Sequence, residues 1–301
     1  MTQQLRVGTR RSPLARTQTN EVVQRLKVIF PQLDIVILGF TSIGDQTKGP
    51  LPTSTPGIFT STLDAALING DIDFAIHSLK DLPTTRPEEL TIAAIPKRKS
   101  AFDVLVTVSG QKIDDLPQGA TVNTSSLRRT AQLLATRSDL KIEPLRGNVD
   151  SRVKKIIRGE LQAIVLAEAG LSRLEISSVY QQRIPMDFML PAPAQGALAV
   201  ECRRSDPNIV HILESIDCPS TRATTTAERT FLASTEGGCA IPIGAYATHI
   251  NDEIHLNAEV LSVDGSKRIV VSGVGLDATE LGYQLAQKAY QMGAKKILNR
   301  A

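Results

Sequence analysis

Cations and hydroxyls recur in this chain wherever the residue pattern predicts the end of a strand. Arg10, Arg11 and Ser12 follow segment 5–9, and Ser78, Lys80 and Asp81 follow segment 73–77. Thr124, Ser125, Ser126, Arg128 and Arg129 follow 120–123, while Arg146, Gly147, Asn148 and Arg152 follow 140–145. Arg173 lies beyond 163–167. A guanidinium is a planar fork suited to bidentate binding of carboxylate or phosphate. One such arginine is ordinarily a surface ion-pair partner. Seven at equivalent positions are what a polyanion site requires, because ligands of parallel sheets bind beyond the carboxyl ends of the strands. The chain has neither GxxxxGK[ST] nor GxGxxG after a strand, which disfavours a nucleotide. The pattern leaves phosphate and carboxylate open.

Asp81 stands among these cations. It fits equally a cap or salt-bridge partner, and a carboxylate that stabilises a developing positive charge. Cys239 lies in Glu236-Gly237-Gly238-Cys239-Ala240-Ile241-Pro242. Its two preceding glycines suggest an exposed turn where a thiol can be modified. No histidine is near it in sequence, so a protease-like dyad is not indicated. Cys202 and Cys218 read as small buried hydrophobes, and His77 as a structural histidine closing an apolar strand.

The elements that must position these residues follow from the hydrophobic period. Strands are expected at 5–9, 34–40 and 73–77, with helices from Pro13 to Leu26 and over 60–69, the βαβαβ pattern of a mostly parallel sheet. Residues 43–56, rich in Gly, Pro, Thr and Ser, form a long loop of the kind that serves as a lid. The pattern resumes with strands 102–108, 120–123, 140–145, 163–167 and 197–201. The helices there are one capped by Ser125 and running to Leu134, 149–158, a short one ending near Leu174, and 207–216. The last third changes character: a helix over 221–233, three strands (241–248, 254–262, 268–274) without helices between them, and a closing helix over 279–292.

Composition sets the outer limits. The chain has 301 residues, 34 basic against 31 acidic, for a net charge of +3. That balance, with 4% aromatic residues and no tryptophan, argues against a nucleic-acid binder. Three cysteines without CxxC and four histidines without ligand spacing argue against a disulfide framework and a metal site. No apolar stretch approaches the roughly 18 residues of a membrane span, and the first residues lack the apolar core of a secretory signal. A cytoplasmic protein is expected.

Six segments together resemble the porphobilinogen deaminase (hydroxymethylbilane synthase) family: Thr9-Arg10-Arg11-Ser12-Pro13-Leu14-Ala15; Asp73 to Pro83, with His77-Ser78-Leu79-Lys80-Asp81; Thr124-Ser125-Ser126-Leu127-Arg128-Arg129; Leu145-Arg146-Gly147-Asn148-Val149; Leu190-Pro191 with Gln195-Gly196-Ala197; and Glu236-Gly237-Gly238-Cys239. They occur in family order across nearly the whole chain. The resemblance implies an α/β fold of two periplasmic-binding-protein-like domains with a cleft between them, plus a small C-terminal α+β domain with a three-stranded antiparallel sheet. The expected boundaries are 1–96 with 197–215, 97–196, and 216–301. It implies a dipyrromethane cofactor joined to Cys239 through a thioether. It also implies head-to-tail condensation of four porphobilinogens with loss of ammonia, then hydrolysis to hydroxymethylbilane in tetrapyrrole (haem) biosynthesis.

Carried over residue by residue, Asp81 is the catalytic carboxylate. Lys80, Ser78, Thr124, Ser125, Ser126, Arg128, Arg129, Arg146 and Gly147 face the cofactor, and Arg10, Ser12, Arg146, Arg152, Arg173 and Gln195 face the substrate. The pyrroles carry acetate and propionate groups, which suits the arginines. A cytoplasmic monomer is expected, with porphobilinogen as its small-molecule partner and neither nucleic acid nor membrane. Three features depart from the family pattern. The segment Pro50 to Leu63 lacks the usual lysines, Ile43 replaces an arginine and Asn123 a glycine. A lid so stripped of charge raises an alternative, a catalytically weakened polycarboxylate-binding protein. Retention of Asp81, Cys239 and the cleft arginines speaks against it.

Overall fold

The computed structural model describes residues 4–41, 60–235 and 241–298. The expected lid loop and Cys239 lie outside them. The chain opens with β1 (Gln4–Arg10), α1 (Pro13–Ile29), β2 (Asp34–Phe40), α2 (Ser61–Ile68), β3 (Phe74–Ser78), a 3₁₀ turn (Leu79–Asp81) and β4 (Leu90–Ala94). A second series holds β5 (Asp103–Thr107), β6 (Thr121–Asn123), α3 (Leu127–Thr136), β7 (Lys141–Glu143), α4 (Val149–Ile157), β8 (Ala163–Ala167), α5 (Glu168–Arg173) and β9 (Tyr180–Arg183). Then come β10 (Leu198–Arg203), α6 (Pro207–Glu214), α7 (Pro219–Ser234), β11 (Ile243–Ile250), β12 (Glu253–Leu261), β13 (Arg268–Gly275), α8 (Ala278–Gln291) and α9 (Ala294–Leu298).

These elements form two compact units. One comprises the chain up to Arg98 together with Ala197–Arg222; the other comprises Lys99–Gly196 and the chain from Ala223 onward. The first unit holds a five-stranded sheet in the order β2-β1-β3-β10-β4. β1 runs parallel to β2 and β3, as the βαβαβ pattern predicts, but β10 is antiparallel to both β3 and β4. Four of the five strands thus share one direction, the mostly parallel sheet expected, and β10 is its one reversed strand. β10 enters from far along the chain, so no right-handed crossover dictates its direction. Ser12 starts α1, its Oγ accepting a hydrogen bond from the Ala15 amide, with Pro13 in the first turn. Val22, Val23 and Leu26 then bury one helical face with Leu5, Val7, Phe74 and Val200.

The second unit carries two sheets. One, ordered β7-β6-β8-β5-β9, is also mixed: β6 is parallel to β7 and β8, whereas β5 is antiparallel to β8 and β9. The other is the expected antiparallel β11-β12-β13 sheet, whose inner face packs with Phe231, Leu281 and Leu285. α3 is capped by Ser126, which accepts from the Arg129 amide, and not by Ser125. Two strands escape the sequence pattern. β4 alternates weakly, and β9 (Tyr-Gln-Gln-Arg) is a polar edge strand held by backbone pairing, with no apolar face to announce it.

Candidate active site

In the first unit, the parallel pairing of β1 with β3 sets Gly8 opposite Ala75, so Arg10 and the end of β3 emerge at the same sheet edge. Arg10 is half-buried, and Ser12 is committed to capping α1. Ser78 accepts a hydrogen bond from the buried Gln18 amide, Nε2 to Oγ, at 2.8 Å. The 3₁₀ turn that follows is tied down where the Leu79 amide donates to the Ala197 carbonyl at 3.0 Å. Its last residue, Asp81, is exposed, and Lys80 beside it is half-buried.

Behind this edge lies a charged group that sequence reading did not single out. Glu201, fully buried in β10, takes both oxygens to the Arg86 guanidinium, at 2.9 and 2.8 Å, and Arg86 also binds Asp64 of α2 at 2.6 Å. His77 Nε2 lies 3.4 Å from Glu201 Oε2. Burial alone would push the Glu201 carboxyl up, but hydrogen bonds and charge from His77 and Arg86 bring it below its ordinary value. The available signal was the lone glutamate within an apolar strand, since a buried charge needs a partner.

In the second unit, the Thr-Ser-Ser hydroxyls build the loop itself. Thr124 Oγ1 accepts from the Ser126 amide, Ser125 Oγ pairs with the Leu145 backbone at 2.9 Å, and Ser126 caps α3. Arg128 and Arg129 are buried, and both close on the buried Asp103, with Nη2 to carboxylate distances of 2.8 and 2.6 Å. Arg128 also donates to the Leu190 carbonyl and Arg129 to that of Val165. Gln195, fully buried, donates to the Ala101 carbonyl at 2.7 Å and to Asp103 at 3.1 Å. Arg173, also buried, donates to the Gly196 carbonyl. A Cβ at Gly196, where φ is +91°, would meet the Ser100 carbonyl oxygen at 2.4 Å, so only glycine fits there.

The two guanidiniums share Asp103, and Glu259 also faces Arg128. Burial, and the charge of Arg129 against that of Asp103, bring Arg128 below its usual value. Arg152 adds a third cation. Its Nε donates to the Gly147 carbonyl at 2.7 Å, and burial together with Arg129 lowers its pKa to about 10. No carboxylate pairs with Arg152 among the described residues. Gly147 holds this arrangement at φ +108°, where a Cβ would meet Ser151 Oγ at 2.6 Å. Arg146 is exposed. Of Arg128, Arg129 and Arg152, the last is the guanidinium that no carboxylate pairs among the described residues, a cation suited to an anion.

Comparison with known proteins fits this arrangement. A family model described as "Porphobilinogen deaminase, dipyromethane cofactor binding domain" matches residues 5–211, and "Porphobilinogen deaminase, C-terminal domain" matches 223–291. The chain belongs to the porphobilinogen deaminase family. A porphobilinogen deaminase of Brevibacillus brevis is 44% identical over 97% of this chain and 96% of its own. Another, from Pelotomaculum thermopropionicum, is 44% identical over 100% and 98%. Among solved structures, a periplasmic binding protein of Salmonella typhimurium described as having high arginine specificity aligns with a TM-score of 0.43 at 12% identity, covering 71% of this chain and 91% of its own. The porphobilinogen deaminase family is one of transferases, and its first model names a dipyrromethane-binding domain. No helix among the described residues is long and apolar enough to cross a membrane. Cys202 is buried, and burial pushes its thiol up to about 12, which agrees with an inert core cysteine.

Proposed function

We infer that this chain is a hydroxymethylbilane synthase that condenses four porphobilinogens head to tail, releasing ammonia and then the linear tetrapyrrole. The observation that carries the reading is the family match across 5–211 and 223–291. The site residues support it. A substrate bearing acetate and propionate groups needs cations that its protein has not already neutralised, and Arg152 supports the reading as such a cation.

A dipyrromethane, joined by a thioether to Cys239, would supply when bound the pyrrole α-carbon to which substrate is added. Arg146, Arg152, Arg128 and Arg129 would hold its carboxylates, the last two also keeping their own loop in register through Asp103. Arg10 and Arg173 would bind and orient the incoming porphobilinogen. Asp81, exposed at the end of its turn, would stabilise the positive charge that develops as ammonia leaves, and take or return a proton at its carboxylate oxygen. Ser78, fixed by Gln18, and Lys80 would orient the ring beside it. Thr124, Ser125 and Ser126 serve the site by shaping the loop. We assign the work to three pieces, 1–96 with 197–215, 97–196 and 216–301, in a monomer acting in the cytoplasm.

Intact-protein mass spectrometry with a Cys239→Ser control tests the cofactor assignment. The expected excess is the mass of two porphobilinogens less two ammonias, absent in the control. An excess that persists in the control refutes the attachment site. A bare polypeptide mass that stays bare, with no ammonia released when porphobilinogen is added, refutes the function.

A further inference from the structure

β3 and β4 run in the same direction on either side of β10: Ser78 faces Leu198 and Phe74 faces Cys202, while Leu90 faces Arg203 and Ala94 faces Val200. The chain leaving β3 must therefore travel back along β10 before β4 can begin. Parallel strands are ordinarily joined by a helix, which packs on the sheet and fixes the connection. Residues 79–89 contain one 3₁₀ turn and no α-helix. Asp81 closes that turn.

Arg86 lies within this return path. Its guanidinium grips both Glu201 oxygens in the middle of β10 and reaches Asp64 on α2. The three side chains are largely withdrawn from water, at 12%, 0% and 14% exposure. A bidentate guanidinium–carboxylate pair defines direction as well as distance, which a lysine cannot do. Asp64, His77 and Glu201 place their ligand atoms within 4.8 Å of one another, as a metal site would. Arg86 already spans both carboxylates, so the chain itself meets their demand for a cation.

We propose that Arg86 is a positioning residue for Asp81: by binding Glu201 and Asp64 together, it pins the helix-free crossover that carries the Asp81 carboxylate. This inference rests on the functional reading above. Arg86 touches no reacting atom in that reading; it acts by holding the Asp81 turn in one place. A catalytic group displaced by about 1 Å can lose on the order of a hundredfold in rate.

The test uses the cofactor-loaded protein with Arg86→Met and Arg86→Lys. In Arg86→Met, kcat falls at least about tenfold while KM stays within about twofold, because the substrate-holding arginines are untouched. Backbone hydrogen exchange quickens in peptides covering 79–89 and not in those covering β1 or α1. Arg86→Lys keeps the charge and loses the fork, so it recovers part of kcat, and it carries the test if the methionine variant does not fold. Three results overturn the proposal: unchanged kcat and exchange, a KM rise without a kcat loss, or faster exchange spread over the whole unit. A wild-type protein that releases no ammonia from porphobilinogen overturns the functional reading itself. An active wild type matched by an equally active Arg86→Met overturns this inference alone.

Discussion

Arg152 holds its charge at a cost, and replacing it separates binding from stability. Its pKa falls well below the usual guanidinium value, to about 10, because it is half-buried and faces Arg129. That difference corresponds to about 3 kcal/mol disfavouring the charged form in the fold. A cation whose folded pKa is depressed carries this penalty wherever it is protonated, so the cost is fully present below about pH 10. Arg152→Gln removes the penalty and also the charged hydrogen bond to the Gly147 carbonyl, which is worth about 1.5 kcal/mol. The balance favours the variant by roughly 1–2 kcal/mol, a rise in Tm of about 3–6 °C. The same change deprives a substrate carboxylate of its partner, and KM rises about tenfold or more, matching about 1.5–3 kcal/mol for a charge-assisted bond. Differential scanning calorimetry and initial rates of ammonia release, on the same preparation at pH 7–8, measure both. A lower Tm, or an unchanged KM, would refute the view that this arginine is strained in waiting for an anion.

Asp81→Asn, at an exposed position, leaves Tm within about 2 °C and lowers turnover at least a hundredfold; an active variant removes Asp81 from the mechanism. Asp103→Asn strands two buried guanidiniums and costs about 3–5 kcal/mol in denaturant unfolding, whereas a loss below about 1 kcal/mol would show that other groups hold them. Glu259 is fully buried, and burial raises its pKa despite Arg268 at 2.7 Å. A carboxyl with a raised pKa contributes stability that is present at acid pH and lost as pH rises through the folded value. Glu259→Gln therefore gains on the wild type at pH 8, and the gap closes near pH 4 in urea titrations. A gap that widens on acidification would reverse the assignment.

Much of this protein is written in local pattern. Apolar runs such as Ala163–Ala167 give strands at the predicted positions, and Pro13 after Ser12 gives a helix start, because period, capping and φ restriction act within a few residues. The polar residues at strand ends were legible for the same reason, and the linked motifs pointed to the family. What the side chains do there was settled by tertiary structure. Arg128, Arg129, Arg173 and Gln195 stand where an anion site was expected, and the fold also bonds them to Asp103, Leu190, Val165, Ala101 and Gly196, which no local pattern announces. Ser125 looked like a helix cap and braces Leu145 instead.

The antiparallel entry of β10 and the Arg86–Glu201 pair, separated by more than a hundred residues, had no local signature. Sequence by itself determined most of the strands and helices, β4 and β9 apart, and which residue types crowd the strand ends, since those follow from neighbours along the chain. Tertiary structure alone decided which charges are spent on one another and which remain for a ligand. A buried charge must find a partner, and only the folded chain determines which distant residue is near enough to be one.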